Sequence, residues 1–478
     1  MLVAPHGGRR DAARRPWGST PLKMNDLHTG PLARELAARL GASALINEAG
    51  DRNDVDLNRL SAVHDAAPQF LEALTALVDD GLQRHPRLCV LMVHGWNVVQ
   101  PAVDIGLGVR PSPATLVGGG ESAVSERFAA SALPRLAARL AAHGIAATPG
   151  LRYPARAREN LLQVFTGRYR TDERPPVSRL ARLAERVDAL QLELSLPLRL
   201  PGTWRDAFVD ACAAAFGDDG AAEPHAWPAW ITEGPQPTES LALELVAPGL
   251  SGLAAIDPHG GRLLLFPDDG RLLTFTGERV GRHDADRVAG LRVTLTATGE
   301  VELAYDGPML AFPDTTPFVD LERGLATAGA TQAEVRLRLT PSHGASDEAC
   351  PFGRVDGYAR IGAMHHQVAG HGVRSRREVG FAARPRAALR LADGTVFVAR
   401  GADGILCRDG THVPLTRCTI RDDGASAEVT VAAADGTQAQ VAVEIAHRLP
   451  VVPGVPGADR IVFVSCRHGG APAGWLTL

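Results

Sequence analysis

The feature that most constrains this chain is a change of hydrophobic period near its middle. Residues 1 to about 220 alternate short apolar runs with helix-patterned segments, whereas residues 240–478 hold only short strand-like runs separated by turn residues. The first pattern predicts a mostly parallel sheet, because parallel strands need a crossover between them and are covered on both faces. The second predicts an all-β sandwich or barrel. The expected class is therefore α/β, a mostly parallel sheet flanked by helices, followed by an all-β domain. At 478 residues the chain exceeds one typical core. The boundaries read as 1–220, a linker at 221–240 rich in Pro, Ala and Trp, and 241–478.

Strands are expected near 1–5, 43–48, 88–93, 147–152 and 190–196. Thr29 is placed to cap a helix over Leu32–Leu40, with Pro31 in its first turn and Gly41 closing it. Further helices fit 66–82, 122–142 and 203–216. In the second half Asp-Gly recurs between apolar runs at 269–270, 393–394 and 435–436, a hairpin signal. Two similar β-halves are compatible with that spacing.

Chemistry-bearing residues follow the strand-like runs. Met1 to Ala4 leads into Pro5-His6-Gly7-Gly8, with Asp11 five residues past the histidine. The run LCVLMV at 88–93 ends in His94-Gly95. In open α/β sheets, ligands collect beyond the carboxyl ends of strands. A histidine and a carboxylate on one glycine-opened turn can face the same ion, and that pairing suits a zinc site with an open position. The run SALINE at 43–48 leads into Asp51-Arg52-Asn53-Asp54-Val55-Asp56-Leu57-Asn58-Arg59. Glu193 stands inside the apolar segment LQLELSL at 190–196, and a buried carboxylate needs a partner or a task.

Each has a plainer reading. His6 alone could merely satisfy a turn. Arg59 could pair with Asp54 or Asp56, and Asp56 could orient Arg52 or Arg59. Glu193 could be an edge charge, though its neighbours are apolar on both sides. His28 and His64 read as solvated, and Gly118-Gly119-Gly120 as a linker turn rather than an anion nest. It is the set together, on fitting strands, that favours a metal site.

The net charge of −4 gives no electrostatic case for nucleic acid. Lys23 is the only lysine, which argues against Schiff-base and P-loop chemistry. The six cysteines are scattered, matching neither a disulfide framework nor a thiolate zinc pattern. No apolar run reaches transmembrane length and no signal-peptide core is present, so a cytoplasmic location without a membrane span is expected. Met1 lies close to His6, so the first strand is short and the natural start could lie upstream.

The pieces APHGG at 4–8, DRNDVDLNR at 51–59, VHG at 93–95 and LQLELS at 190–195 together resemble the N-formylglutamate amidohydrolase family. That family belongs to a wider set of zinc-carboxypeptidase-like hydrolases that includes poly-γ-glutamate hydrolases. The resemblance covers roughly residues 1–220 and implies Zn2+ held by His6, Asp11 and His94. The poly-γ-glutamate hydrolases usually carry glutamate where Asp11 stands, so Glu48 or Asp51 is the substitute acid. The resemblance implies Glu193 as general base, Asn58 and Arg59 as the grip on the substrate carboxylate, and Arg52 polarising the scissile carbonyl or holding a second carboxylate. Zinc lowers the pKa of bound water to about 7, and arginine's planar fork suits carboxylate capture. The implied activity is zinc-dependent hydrolysis of an amide bond in an N-acyl or γ-linked acidic amino acid. Tyr169 could border the pocket.

A second Pro-His-Gly-Gly, at 258–261, lacks a matching acid or histidine and reads as a hairpin turn; His468 to Gly470 reads as a terminal loop. Met364-His365-His366 with His371 and Arg374 could bind metal but meets no strong zinc spacing. Gly357 to Phe381 resembles a strand region of the lipocalin-like proteins related to carotenoid hydratases and tocopherol cyclases. Such a domain could carry an apolar ligand or a second activity. The alternative function is accordingly a non-catalytic binding protein, with a degenerate hydrolase scaffold and a β domain that binds or transforms a lipid or isoprenoid.

Overall fold

The computed structural model describes residues 1–9, 23–110, 122–217, 239–279, 286–314, 321–342, 352–378, 386–391, 393–400, 403–408, 411–450, 462–468 and 471–477. Asp11, the glycine triplet at 118–120 and nearly all of the 221–240 linker lie outside these residues. The chain divides into two compact units, the first spanning Met1–Gly234 and the second Pro235–Arg279 with His283–Leu478.

The first unit is built on six strands: β1 (Leu2–Ala4), β2 (Ala44–Ile46), β3 (Leu88–Gly95), β4 (Ala102–Gly106), β5 (Ala146–Thr148) and β6 (Val187–Leu194). They lie in the order β2-β1-β3-β6-β4-β5. All neighbouring pairs are parallel except β4 with β6. Helices α1 (Thr29–Leu40), α2 (Leu60–Ala66), α3 (Pro68–Arg84), α4 (Glu126–Ala130), α5 (Ala132–Ala142), α6 (Pro175–Arg182), α7 (Leu196–Arg199) and α8 (Thr203–Phe216) flank it.

Strand alternation sorts the core into two layers. Leu91 and Val93 of β3, with Leu190, Leu192 and Leu194 of β6, join α1, α5 and α8 in one cluster. Val90 and Met92, with Val187 and Ala189, face α3 and Phe165 in the other. His94 and Glu193 therefore share the second face, each at the carboxyl end of its strand.

The caps follow local chemistry. Gly41 closes α1 in the left-handed conformation, φ 59°. Thr29 is the first residue of that helix rather than its cap, and its hydroxyl donates to the Asp26 carbonyl at 2.7 Å. The helix expected over 122–142 is two, broken at Ser131. β4 was not anticipated, because Asp104 and Gly106 interrupt its apolar run; it returns antiparallel beside β6.

The second unit is built of β-strands, as expected, with one short helix at Leu321–Ala326 among its described residues. Ten antiparallel strands between Glu239 and Glu378 form one sheet, and pairing of Leu272–Glu278 with Val301–Phe312 closes eight of them on themselves. Eight further strands, from Arg386–Arg390 to Ala471–Thr477, form a closed barrel whose interior is a packed apolar core including Phe397, Leu406, Val429 and Val443. All three Asp-Gly pairs sit in hairpin turns, their glycines at φ 83°, 83° and 87°. The second Pro-His-Gly-Gly is also a hairpin turn, tied by Asp257 accepting from the His259 and Gly260 amides. Among the described residues no helix is long and apolar enough to cross a membrane.

Candidate active site

His6 follows β1 two residues past its end, and His94 is the penultimate residue of β3 next door. Their rings pack edge to face with centroids 4.9 Å apart. Between them stands Asp26, which the sequence reading missed. Its Oδ2 lies 3.2 Å from Nδ1 of His6 and 3.1 Å from Nδ1 of His94. All three side chains are buried. Nε2 of His94 is enclosed without a hydrogen-bond partner, an orphan that buried polar groups rarely tolerate.

The remaining contacts fix this trio. Nε2 of His6 meets Asp56 Oδ1 at 2.7 Å. Arg52 donates from Nη1 to Asp26 Oδ1 and to the Met24 carbonyl, each at 3.1 Å. Burial works against charge on His6, but Asp26 and the hydrogen bonds to Asp26 and Asp56 outweigh it and raise its pKa. Burial dominates at His94 and lowers it. Asp26 resists its own burial because His6, His94 and Arg52 hold it well below the usual carboxylate range.

The motif at 51–59 thus does more than the sequence suggested. Asn25 donates to Asp51 Oδ1 at 3.2 Å, the Arg52 amide to Asn25 Oδ1 at 3.0 Å, and Asn53 exchanges bonds with Lys23. These residues stitch down the segment that delivers Asp26. Arg199, fully buried, holds the other side by donating to the Leu27 carbonyl at 2.7 Å and Asn97 Oδ1 at 3.0 Å.

Glu193 is paired with His94 in the parallel register and with Asp104 across β4. Burial first, then repulsion from Asp26 and Asp104, pushes its pKa up to about 8. Gln191 donates to its Oε1 at 2.7 Å, and Asn160 donates to Gln191 at 3.0 Å. The backbone of Asn160 bridges Arg59. Asp104 itself is occupied by the Leu151, Arg152 and Tyr153 amides.

The other expected residues separate. Glu48 is exposed and pairs with Arg34. Asp51 is buried in the loop network just described, with Oδ2 unpartnered. Asn58 keeps a buried Oδ1 without a partner, while Arg59 is exposed at the start of α2. Arg52 is turned toward Asp26. Tyr169 donates its hydroxyl to the Arg158 carbonyl and packs on the second apolar cluster. Asp26 left little trace in the sequence, since it sits in Met24-Asn25-Asp26-Leu27, away from any strand.

The glycines after the histidines supply room. A Cβ on Gly8 would lie 1.9 Å from the Gly50 carbonyl oxygen, and one on Gly7 2.9 Å from that of Asn47. On Gly95 it would lie 2.6 Å from Arg199 Nη1 and 3.1 Å from Asp26 Cβ. Gly95→Ala is therefore expected to cost roughly 1–3 kcal/mol through overpacking. It should displace Asp26, so thermal melting and cation titration of the variant should both shift downward.

No protein-family model matches the chain, and no curated protein matches it. Among solved structures, N-formylglutamate amidohydrolase from Ralstonia eutropha JMP134 aligns at TM-score 0.30 and 15% identity, covering 45% of this chain and 91% of that one. CghA aligns at 0.27 and 13%, covering 50% and 87%. CghA with Sch210972 aligns at 0.28 and 12%, covering 50% and 86%. These are weak likenesses at the level of fold, each over about half of the chain.

Proposed function

We propose that the first unit is a zinc-dependent amidohydrolase that cleaves an N-acyl or γ-linked acidic amino acid. The observation that carries the proposal is the convergence of Nδ1 of His6, Nδ1 of His94 and Oδ2 of Asp26, with Glu193 in register beside His94.

The donor set fits the ion. Two imidazoles and a carboxylate are ordinary zinc ligands, leaving a fourth position open. Tetrahedral bonds of about 2.0–2.1 Å put ligand atoms roughly 3.3 Å apart, close to the 3.1 and 3.2 Å found here. Asp56 behind His6 and Arg52 behind Asp26 are the outer partners such ligands usually have. Zinc bound there supplies Lewis acidity toward water and a carbonyl oxygen.

The protein's own groups do the rest. Glu193 takes a proton from the attacking water as the new carbon–oxygen bond forms. It then returns that proton to the nitrogen as the carbon–nitrogen bond breaks, releasing acid and amine. A carboxylate with pKa about 8 in the metal-free protein holds a proton at neutral pH. A nearby cation draws that value down toward the range a shuttle needs. Gln191 and Asn160 orient it. Arg52 acts by positioning Asp26, and Arg59 with Asn58 receives the substrate's carboxylate.

Chelator-treated protein offered N-formyl, N-acetyl and γ-glutamyl acidic amino acids should hydrolyse at least one class only after zinc is restored. Arg59→Ala should raise KM by about tenfold or more, the loss of a charge-assisted pair, and leave kcat nearly unchanged. Turnover that survives thorough chelation would overturn the reading.

A further inference from the structure

The second unit carries a cluster of metal-ligating side chains that the hydrolytic site does not use. His371 lies on the strand Met364–Glu378 of the first closed sheet. Cys407 and His412 lie on Asp403–Arg408 and Thr411–Asp422 of the barrel, directly opposite each other in the antiparallel register. One ligand atom from each of the three comes within 4.8 Å of the other two.

We propose that His371, Cys407 and His412 form a second metal site, taking a thiophilic divalent cation of which Zn2+ is the type. Cross-strand pairing fixes the spacing of Cys407 and His412, and His371 reaches them from a separate sheet, so the site needs no local Cys-x-x-Cys spacing. The mixed sulfur and imidazole donors select zinc over magnesium or calcium, which demand oxygen.

Aromatic packing alone does not account for the cluster. Phe352 stacks on His371 with centroids 5.6 Å apart and meets His412 edge-on at 4.9 Å. A phenyl ring offers no acceptor or donor to the enclosed Nδ1 of His371, which has no hydrogen-bond partner. The ion would tie one closed sheet to the other within this unit, at the position where Phe352 shields it.

The test uses Co2+ alone as the probe, added to metal-free full-length protein. Thiolate coordination to cobalt gives a near-ultraviolet charge-transfer band, which His6, Asp26 and His94 cannot produce because they carry no sulfur. The band should saturate at a stoichiometric amount of cobalt and disappear on added zinc. Cys407→Ser should abolish it. His371→Gln and His412→Gln, which keep a polar side chain of similar bulk, should each weaken cobalt binding by more than about tenfold. Wild-type protein without a thiolate band would overturn the proposal, as would a band that persists at unchanged affinity in both glutamine variants. A band that survives Cys407→Ser would assign the sulfur elsewhere and overturn it equally. Since these residues lie outside the first unit, the outcome is independent of whether that unit hydrolyses amides.

Discussion

Glu193→Gln is expected to abolish hydrolysis while making the metal-free protein more stable at alkaline pH. The loss of turnover follows from removing the proposed proton carrier, and should reach about 100- to 10,000-fold. The stability gain follows from linkage. The Glu193 pKa is raised from 4.5 in the unfolded chain to about 8 in the folded one. Between those values the folded state holds a proton that the unfolded state has released, so stability declines as pH rises through the window. Each pH unit there costs about 1.4 kcal/mol, so the strain at pH 8 is on the order of several kcal/mol. Glutamine does not ionise. Its carbonyl can still accept from Gln191, and its amide replaces a charge that Asp26 and Asp104 repel. Calorimetry of chelator-treated protein should show the variant melting near wild type at pH 5 and above it at pH 8. Equal melting at both values would mean that Glu193 is not buried beside those carboxylates. Full retained activity would remove it from the mechanism.

The same residue shows what the sequence made legible. Glu193 stood out because an acid among leucines has to be accounted for, and its strand is buried along its full length. His6 and His94 were legible because each follows an apolar run and precedes glycine. The Asp-Gly hairpins were legible because a tight turn between antiparallel strands demands a positive φ, which glycine supplies cheaply. Each of these signals is local. What failed was long-range. β4 was hidden because one acid and one glycine break up its five residues, and only its pairing with β6 makes it a strand. Asp26 was hidden because its neighbours Asn25 and Leu27 carry no period.

The 51–59 motif shows how a correct location can carry an incomplete role. Sequence alone offers Asp51 as a substitute ligand, Arg52 and Arg59 as substrate contacts, and Asp56 as a group orienting one of those arginines. In the folded chain Asp51, Arg52 and Asn53 bind the 23–26 segment, and Asp56 binds His6. The motif is legible as a place of concentrated polarity. Its partners lie across a loop whose path the sequence does not specify. The cysteines make the same point: scattered spacing concealed the proximity of Cys407 to two histidines.

Asp26→Asn should be the most damaging single substitution for cation binding in the first unit. It keeps the shape but removes the charge that holds His6, His94 and Arg52 together. Two imidazoles and a neutral amide make a poor zinc site, so affinity should fall by orders of magnitude, beyond the ten- to hundredfold typical of losing an outer partner. Stability should fall as well, because Arg52 and His6 would lose a buried anionic partner, and breaking such a pair costs about 3–5 kcal/mol. Asp56→Asn provides the control: it leaves the three proposed ligand atoms in place and only loosens His6, so zinc affinity should drop modestly and the melting temperature little. Calorimetric zinc titration of the two variants separates a ligand from its support. If Asp26→Asn bound zinc as tightly as wild type while Asp56→Asn did not, the acid ligand would have to be sought at another carboxylate.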